Sequence, residues 1–180
     1  PEMVKAATRL LREDGAVMGI NMAKFVGATR VFFGLSRASP SFLSPAYIEE
    51  FVWPDLEYIA RAAIESGLTV LLHCDTNWTR AFDLLRRLPP RSCILELDGD
   101  SDTFEAKRAL GDHLCIMGDV PAYLLAFRGK DEVLAYCKRL ITEVGRGGGF
   151  ILSSGCSIPA NARVENVAAM REAVEEWGKY

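Results

Sequence analysis

The chain has 180 residues, 49% of them hydrophobic, enough to bury roughly two thirds of its unfolded surface within one domain. Its formal net charge of -3 offers no basic excess to grip nucleic-acid phosphates. No apolar run approaches the roughly 20 residues that cross a bilayer, and no basic segment leads into an apolar signal core, so no membrane or nucleic-acid partner and a cytoplasmic location are expected.

In chain order, Met3, Ala7, Leu10 and Leu11 share one helical face, and an apolar strand-like run follows at 30–35 (RVFFGL). Ser44 before Pro45 reads as an N-cap with proline at the first helical position. Pro54 should divide this helical stretch into 45–53 and 55–66. A second strand is expected at 68–73 (LTVLLH), then a turn at Pro89 and Pro90, then a third strand at 93–97 (CILEL). Asp102 and Glu105 resemble a capping box ahead of Phe104 to Leu110. The fourth strand is read at 114–117 (LCIM), and Val133, Tyr136, Cys137, Leu140 and Ile141 form the apolar face of the next helix. Gly147, Gly148 and Gly149 enter a fifth strand at 149–153 instead of leaving one, which suits a helix C-cap and tight turn better than a phosphate loop. A final helix covers about 163–177.

Alternating strands and helices define an α/β fold with a parallel sheet of about five βα units. An open doubly wound sheet and part of an eight-stranded TIM barrel both fit this pattern. The start inside a helical pattern and the end on a helix after the last strand lean toward a barrel fragment. The expectation is a single partial barrel over 1–180, with N-terminal strands absent from this chain.

In either architecture, chemistry belongs at the carboxyl ends of the strands. His73 ends the second strand, and alternation should turn His73 and Asp75 one way and Cys74 the other if the extended geometry persists. Cys156 follows the fifth strand at the same end. Imidazole, carboxylate and thiolate are all zinc ligands, and three protein ligands leave a fourth position for substrate; a hydrogen-bonded histidine and a buried thiol are the alternative reading of the same residues. Asp98 and Asp119 also follow strands and are candidate acids, bases or substrate-orienting groups, unless Asp98 and Asp102 only shape a turn and a helix cap. Glu96, inside a strand, should be paired in the barrel interior. His113 lies at the opposite end. Cys93, Cys115 and Cys137 read as core, and the five cysteines, at 74, 93, 115, 137 and 156, suit a reduced compartment. Phe32, Phe33, Phe42, Phe51 and Trp53 read as core, while Trp78 is the aromatic placed to wall a pocket.

The segments SPAYIEEFVWP (44–54), LLHCDTNW (71–78), GDVPAYLL (118–125), GGFILSSGCSIP (148–159) and ENVAAM (165–170) together resemble the uroporphyrinogen decarboxylase superfamily, from about residue 28 onward. The resemblance implies a (β/α)8 barrel about twice this length, of which this chain is the C-terminal portion. Within the superfamily, cysteine at position 156 is similar to the zinc-dependent, cobalamin-linked methyltransferases, whereas the decarboxylases usually carry histidine there. Those methyltransferases pair a histidine with a cysteine two residues later. His73 matches the first, but Asp75 stands at the second, with Cys74 one place early, so the third ligand is Asp75 or Cys74.

What the resemblance implies is a zinc-dependent methyltransferase moving a methyl group between a corrinoid protein and a thiol or pterin acceptor. Zinc would be the cofactor, the corrinoid would be carried by a partner protein, and Asp98 and Asp119 would line the pocket. A decarboxylase acting on a tetrapyrrole is the alternative, in which those aspartates matter more than Cys156. A third reading is an inactive barrel fragment that associates with another chain or with itself through unpaired strand edges.

Overall fold

In the computed structural model, which describes residues 1–179, five apolar segments pair in strict chain order: β1 (Arg30–Gly34), β2 (Thr69–Cys74), β3 (Cys93–Leu97), β4 (Cys115–Val120) and β5 (Phe150–Ser154). Every pair is parallel. Sequential order without a reversal decides between the two architectures, because right-handed crossovers then put each connecting helix on the same face of the sheet. The chain is thus a segment of an α/β barrel, and an open doubly wound sheet, which needs helices on both faces, is excluded.

The helices are α1 (Glu2–Phe25), α2 (Pro45–Tyr47), α3 (Trp53–Glu65), α4 (Phe82–Leu85), α5 (Thr103–Leu110), α6 (Ala122–Phe127), α7 (Lys130–Arg139) and α8 (Val164–Trp177). Ser44 caps α2 by accepting the Tyr47 amide, and Asp102 caps α5 by accepting the Glu105 amide. Around Pro54 the chain does not break. A π-helical turn over Ile48–Val52 joins α2 to α3, with the Trp53 amide reaching back to the Ile48 carbonyl, so the N–H that Pro54 lacks falls where the bonding pattern changes from π to α. A second π-helical turn, Leu140–Val144, extends α7. Helices α4 and α6 leave no mark in the sequence, because each is too short to show a period.

Alternation along the strands sends Val70, Leu72, Cys74, Leu95, Leu97 and Ile116 into the layer beneath the helices, where all are fully buried. Each such leucine contributes about 1.5–3 kcal/mol by leaving water. The other face carries Phe32, Leu71, Ile94 and Cys115 in one row, and Gly34, His73, Glu96, Met117 and Ile151 in the next, as the register aligns them. Asn166 of α8, inside the ENVAAM segment, is fully buried and donates from Nδ2 to the carbonyls of Leu124, Leu125 and Arg128, tying α8 to the end of α6.

Two sequence expectations are corrected. The first helix forms, but Met3 and Leu11 on its apolar face are 85% and 73% exposed; α1 meets α3 through its small residues, burying Ala16 and Ala23. Phe32 and Phe42 are not core either: Phe32 is 63% exposed on the uncovered face of the sheet, and Phe42 is 59% exposed in the loop before α2. Among the described residues, no helix is long and apolar enough to cross a membrane.

Candidate metal centre

Three donors converge at the carboxyl ends of the strands. His73, Asp75 and Cys156 each present a ligand atom, and these atoms all lie within 4.8 Å of one another. The convergence depends on sheet curvature, since β2 and β5 are three strand spacings apart, roughly 14 Å along a flat sheet. Only a sheet curling toward closure lets the loop after β5 reach over the end of β2.

The histidine is held on both sides. Register places Glu96 of β3 directly beside His73, and Glu96 Oε2 lies 2.8 Å from His73 Nδ1. Nδ1–H therefore donates to the carboxylate, which leaves the Nε2 lone pair free. Nε2 lies 3.3 Å from Asp75 Oδ1. Phe32 stacks on the imidazole with ring centroids 5.7 Å apart and ring planes 29° from parallel.

Asp75 sits at the start of a stapled loop. The fully buried Trp78 donates from Nε1 to the Asp75 carbonyl at 3.0 Å, so this aromatic secures the loop from below instead of walling a pocket. Thr76 has a φ of 64°, a strained value for a β-branched residue. Each of its polar groups is engaged: its amide donates to Asp98 Oδ2 (2.6 Å), its hydroxyl pairs with that of buried Ser39 (2.6 Å), and its carbonyl accepts from Ser101 (3.0 Å). Asp, Thr and Asn in succession after a strand have side chains that suit such a turn. Cys74 points the other way, into the buried layer. Burial pushes its thiol well above the ordinary range, helped by the charges of Asp98, Asp75 and Glu96, and it is not among the converging donors.

Cys156 is exposed, and its carbonyl accepts a 2.8 Å hydrogen bond from Ser154. Gly155 before it is buried, and its amide donates to the Val120 carbonyl at 3.0 Å. A Cβ at this position would fall 2.6 Å from the Asp98 carbonyl carbon and nearer still to its oxygen, so the loop bearing Cys156 seats on β3's exit only because residue 155 has no side chain.

The two aspartates proposed from sequence as catalytic are placed differently. Asp98 is half-buried, with Oδ2 accepting from Thr76 and Oδ1 from the Asp100 amide at 3.0 Å. Desolvation raises its carboxyl above the ordinary value, the two amides pull it back, and the charges of Asp100 and Asp75 push it up again. Asp119 is 2% exposed and does not line the site: Thr103 of α5 and Tyr136 of α7 donate to its two carboxylate oxygens. Desolvation raises Asp119, against those two donors. Tyr136, read from sequence as an apolar-face residue, is thereby the anchor of a buried polar latch. At the opposite end of the sheet, His113 Nε2 bonds the Leu88 carbonyl at 2.7 Å.

The donor set fits a divalent cation of zinc type. Ligands at about 2.0–2.3 Å in a tetrahedral shell lie roughly 3.3–3.8 Å apart, and the 3.3 Å between His73 Nε2 and Asp75 Oδ1 already matches one such edge. A carboxylate and a thiolate together balance two positive charges.

A sequential parallel sheet with polar groups gathered at its carboxyl end is the working arrangement of barrel enzymes. The chain belongs to the uroporphyrinogen decarboxylase family: the family model described as Uroporphyrinogen decarboxylase (URO-D) matches residues 7–177, an earlier start than the motifs alone suggested. The chain is similar to uroporphyrinogen decarboxylases from strains of Coxiella burnetii, with 30% identity over 82 residues, which is 45% of this chain and 22% of theirs. Its fold is similar to that of a methyltransferase from Methanosarcina mazei, with a TM-score of 0.78 and 20% identity, covering 92% of this chain and 47% of that one. The chain thus spans under a quarter of those decarboxylases in its match and about half of the methyltransferase.

Proposed function

We propose that this chain carries the metal centre of a methyl-transferring enzyme of the family, with zinc held by His73 Nε2, Asp75 and Cys156. The observation that supports this reading is the convergence of the three donor atoms within 4.8 Å at the carboxyl end of the sheet. Bound zinc would supply Lewis acidity, activating a thiol acceptor or polarising a methyl donor at the open fourth position. Glu96 holds the imidazole in the tautomer that frees Nε2. Trp78 and Asp98 keep the Asp75 loop from relaxing. Phe32, exposed beside His73, offers an apolar wall to whatever enters. In this reading the methyl group passes between a corrinoid carried by a partner protein and a thiol or pterin acceptor. Asp119 serves the fold and takes no part in chemistry.

Metal content and methyl transfer test this reading together. The protein as isolated with zinc should hold a single equivalent, lost in His73→Ala and Cys156→Ala, and cobalt substitution should give a thiolate charge-transfer band that Cys156→Ala abolishes. Unchanged stoichiometry in both variants refutes the site. The second reading, decarboxylation of a tetrapyrrole, is favoured by the family's description and by the decarboxylase relatives; turnover of a porphyrinogen by metal-free protein would establish it in place of the first.

A further inference from the structure

We propose that Asp98 is a positioning residue that sets the distance between the two anionic donors, its carboxylate holding the Asp75 loop and its backbone carbonyl seating the Cys156 loop. The inference rests on the reading of His73, Asp75 and Cys156 as a metal site, and it replaces the acid–base role that strand position suggested for Asp98.

Asp98 stands where three loops meet. Oδ2 takes the amide of Thr76, the residue after Asp75, at 2.6 Å, and Oδ1 takes the amide of Asp100, so both oxygens are committed to backbone. The bond to Thr76 is one of three that restrain its strained φ of 64°, beside those to Ser39 and Ser101, and it is the one made by the amide that joins Thr76 to Asp75. A left-handed β-branched residue persists only where its surroundings over-determine it. Without that acceptor, the peptide between Asp75 and Thr76 loses its restraint while Ser39 and Ser101 still hold the far side of Thr76, so Asp75 is held less firmly. On its other side, the Asp98 carbonyl is the surface against which Gly155 packs without a Cβ, one residue before Cys156. The Gly155 amide is meanwhile tied to the Val120 carbonyl, so this loop is clamped between the exits of β3 and β4. Asp75 and Cys156 come from strands that share no hydrogen bond, and Asp98 is in contact with both loops.

The test uses Asp98→Ala, Asp98→Asn and Gly155→Ala, with cobalt titration of the whole protein and amide hydrogen exchange of its metal-free form. Asp98→Ala should weaken cobalt binding by about 10- to 100-fold, the usual effect of losing a group that orients a ligand. Asp98→Asn should recover part of the loss, because its Oδ1 still accepts the Thr76 amide. Gly155→Ala should weaken binding and diminish the thiolate band, while leaving Thr76 protected. Cobalt affinity within twofold of the parent in Asp98→Ala, or equal losses in the Ala and Asn variants, overturns the proposal, since equal losses mean that only the charge matters. If the parent binds no cobalt, the metal reading fails, and exchange decides the positioning role: faster exchange at Thr76 in Asp98→Ala supports it, and unchanged exchange overturns it. Should Asp98→Ala not fold, Gly155→Ala decides, and unaltered cobalt binding in that variant overturns the proposal.

Discussion

Replacing Glu96 isolates the contribution of the group behind the histidine. Its Oε2 sits 2.8 Å from His73 Nδ1, and both side chains are nearly buried, at 13% and 11% exposure, so water cannot readily substitute for the lost acceptor. A hydrogen bond to a charged partner is worth about 1.5–3 kcal/mol, which is about 10- to 150-fold in a dissociation constant. Glu96→Ala should therefore weaken zinc binding by that factor. Glu96→Gln keeps an acceptor for Nδ1–H and loses only the charge, so its cost should be about half in free energy, roughly 3- to 12-fold. Competition against a chromogenic chelator measures both, with circular dichroism confirming the fold. Glu96→Ala within twofold of the parent, or Gln as weak as Ala, would refute the assignment of Glu96 as the residue that orients His73.

Tyr136→Phe should cost about 1–3 kcal/mol near neutral pH by leaving one oxygen of buried Asp119 without a donor. Burial already raises the Asp119 carboxyl above its ordinary 3.8, so its contribution to stability is full below that value and is lost as pH rises through the folded-state value. The variant, lacking a donor that pulls the carboxyl down, should lose more, so its deficit should shrink as pH falls toward the ordinary carboxylate range; denaturation between about pH 4 and 8 that shows a constant deficit would contradict this. Trp78→Phe removes the donor to the Asp75 carbonyl and should both lower the melting temperature and weaken metal binding several-fold, by roughly the 0.5–1.5 kcal/mol of one neutral hydrogen bond. A melting shift with unaltered metal affinity would assign Trp78 to packing alone.

All five strands and the larger helices were legible because apolar runs such as LTVLLH and spacings such as Val133, Cys137, Leu140 follow the periods of strand and helix. Local chemistry also marked ends: Ser44 and Asp102 cap as their side chains predict, and Gly147, Gly148 and Gly149 all take positive φ in a turn. Strand polarity put His73, Asp75, Asp98 and Cys156 at one end of the sheet. Face and reach could not be read the same way. Asp119 follows a strand as Asp98 does, yet its carboxylate is committed to Thr103 and Tyr136, partners on helices distant in sequence. Phe32 and Leu11 look like core residues by hydropathy but lie on surfaces that this chain leaves uncovered. Whether His73 and Cys156 meet depends on the curl of the sheet across β3 and β4, and whether Asp75 or Cys74 joins them depends on the path of one stapled turn. Sequence thus determined which residues stand at the carboxyl end of the sheet, because alternation and strand direction are local properties. Tertiary structure decided which of them face one another, because curvature and loop path arise from contacts between segments far apart in the chain.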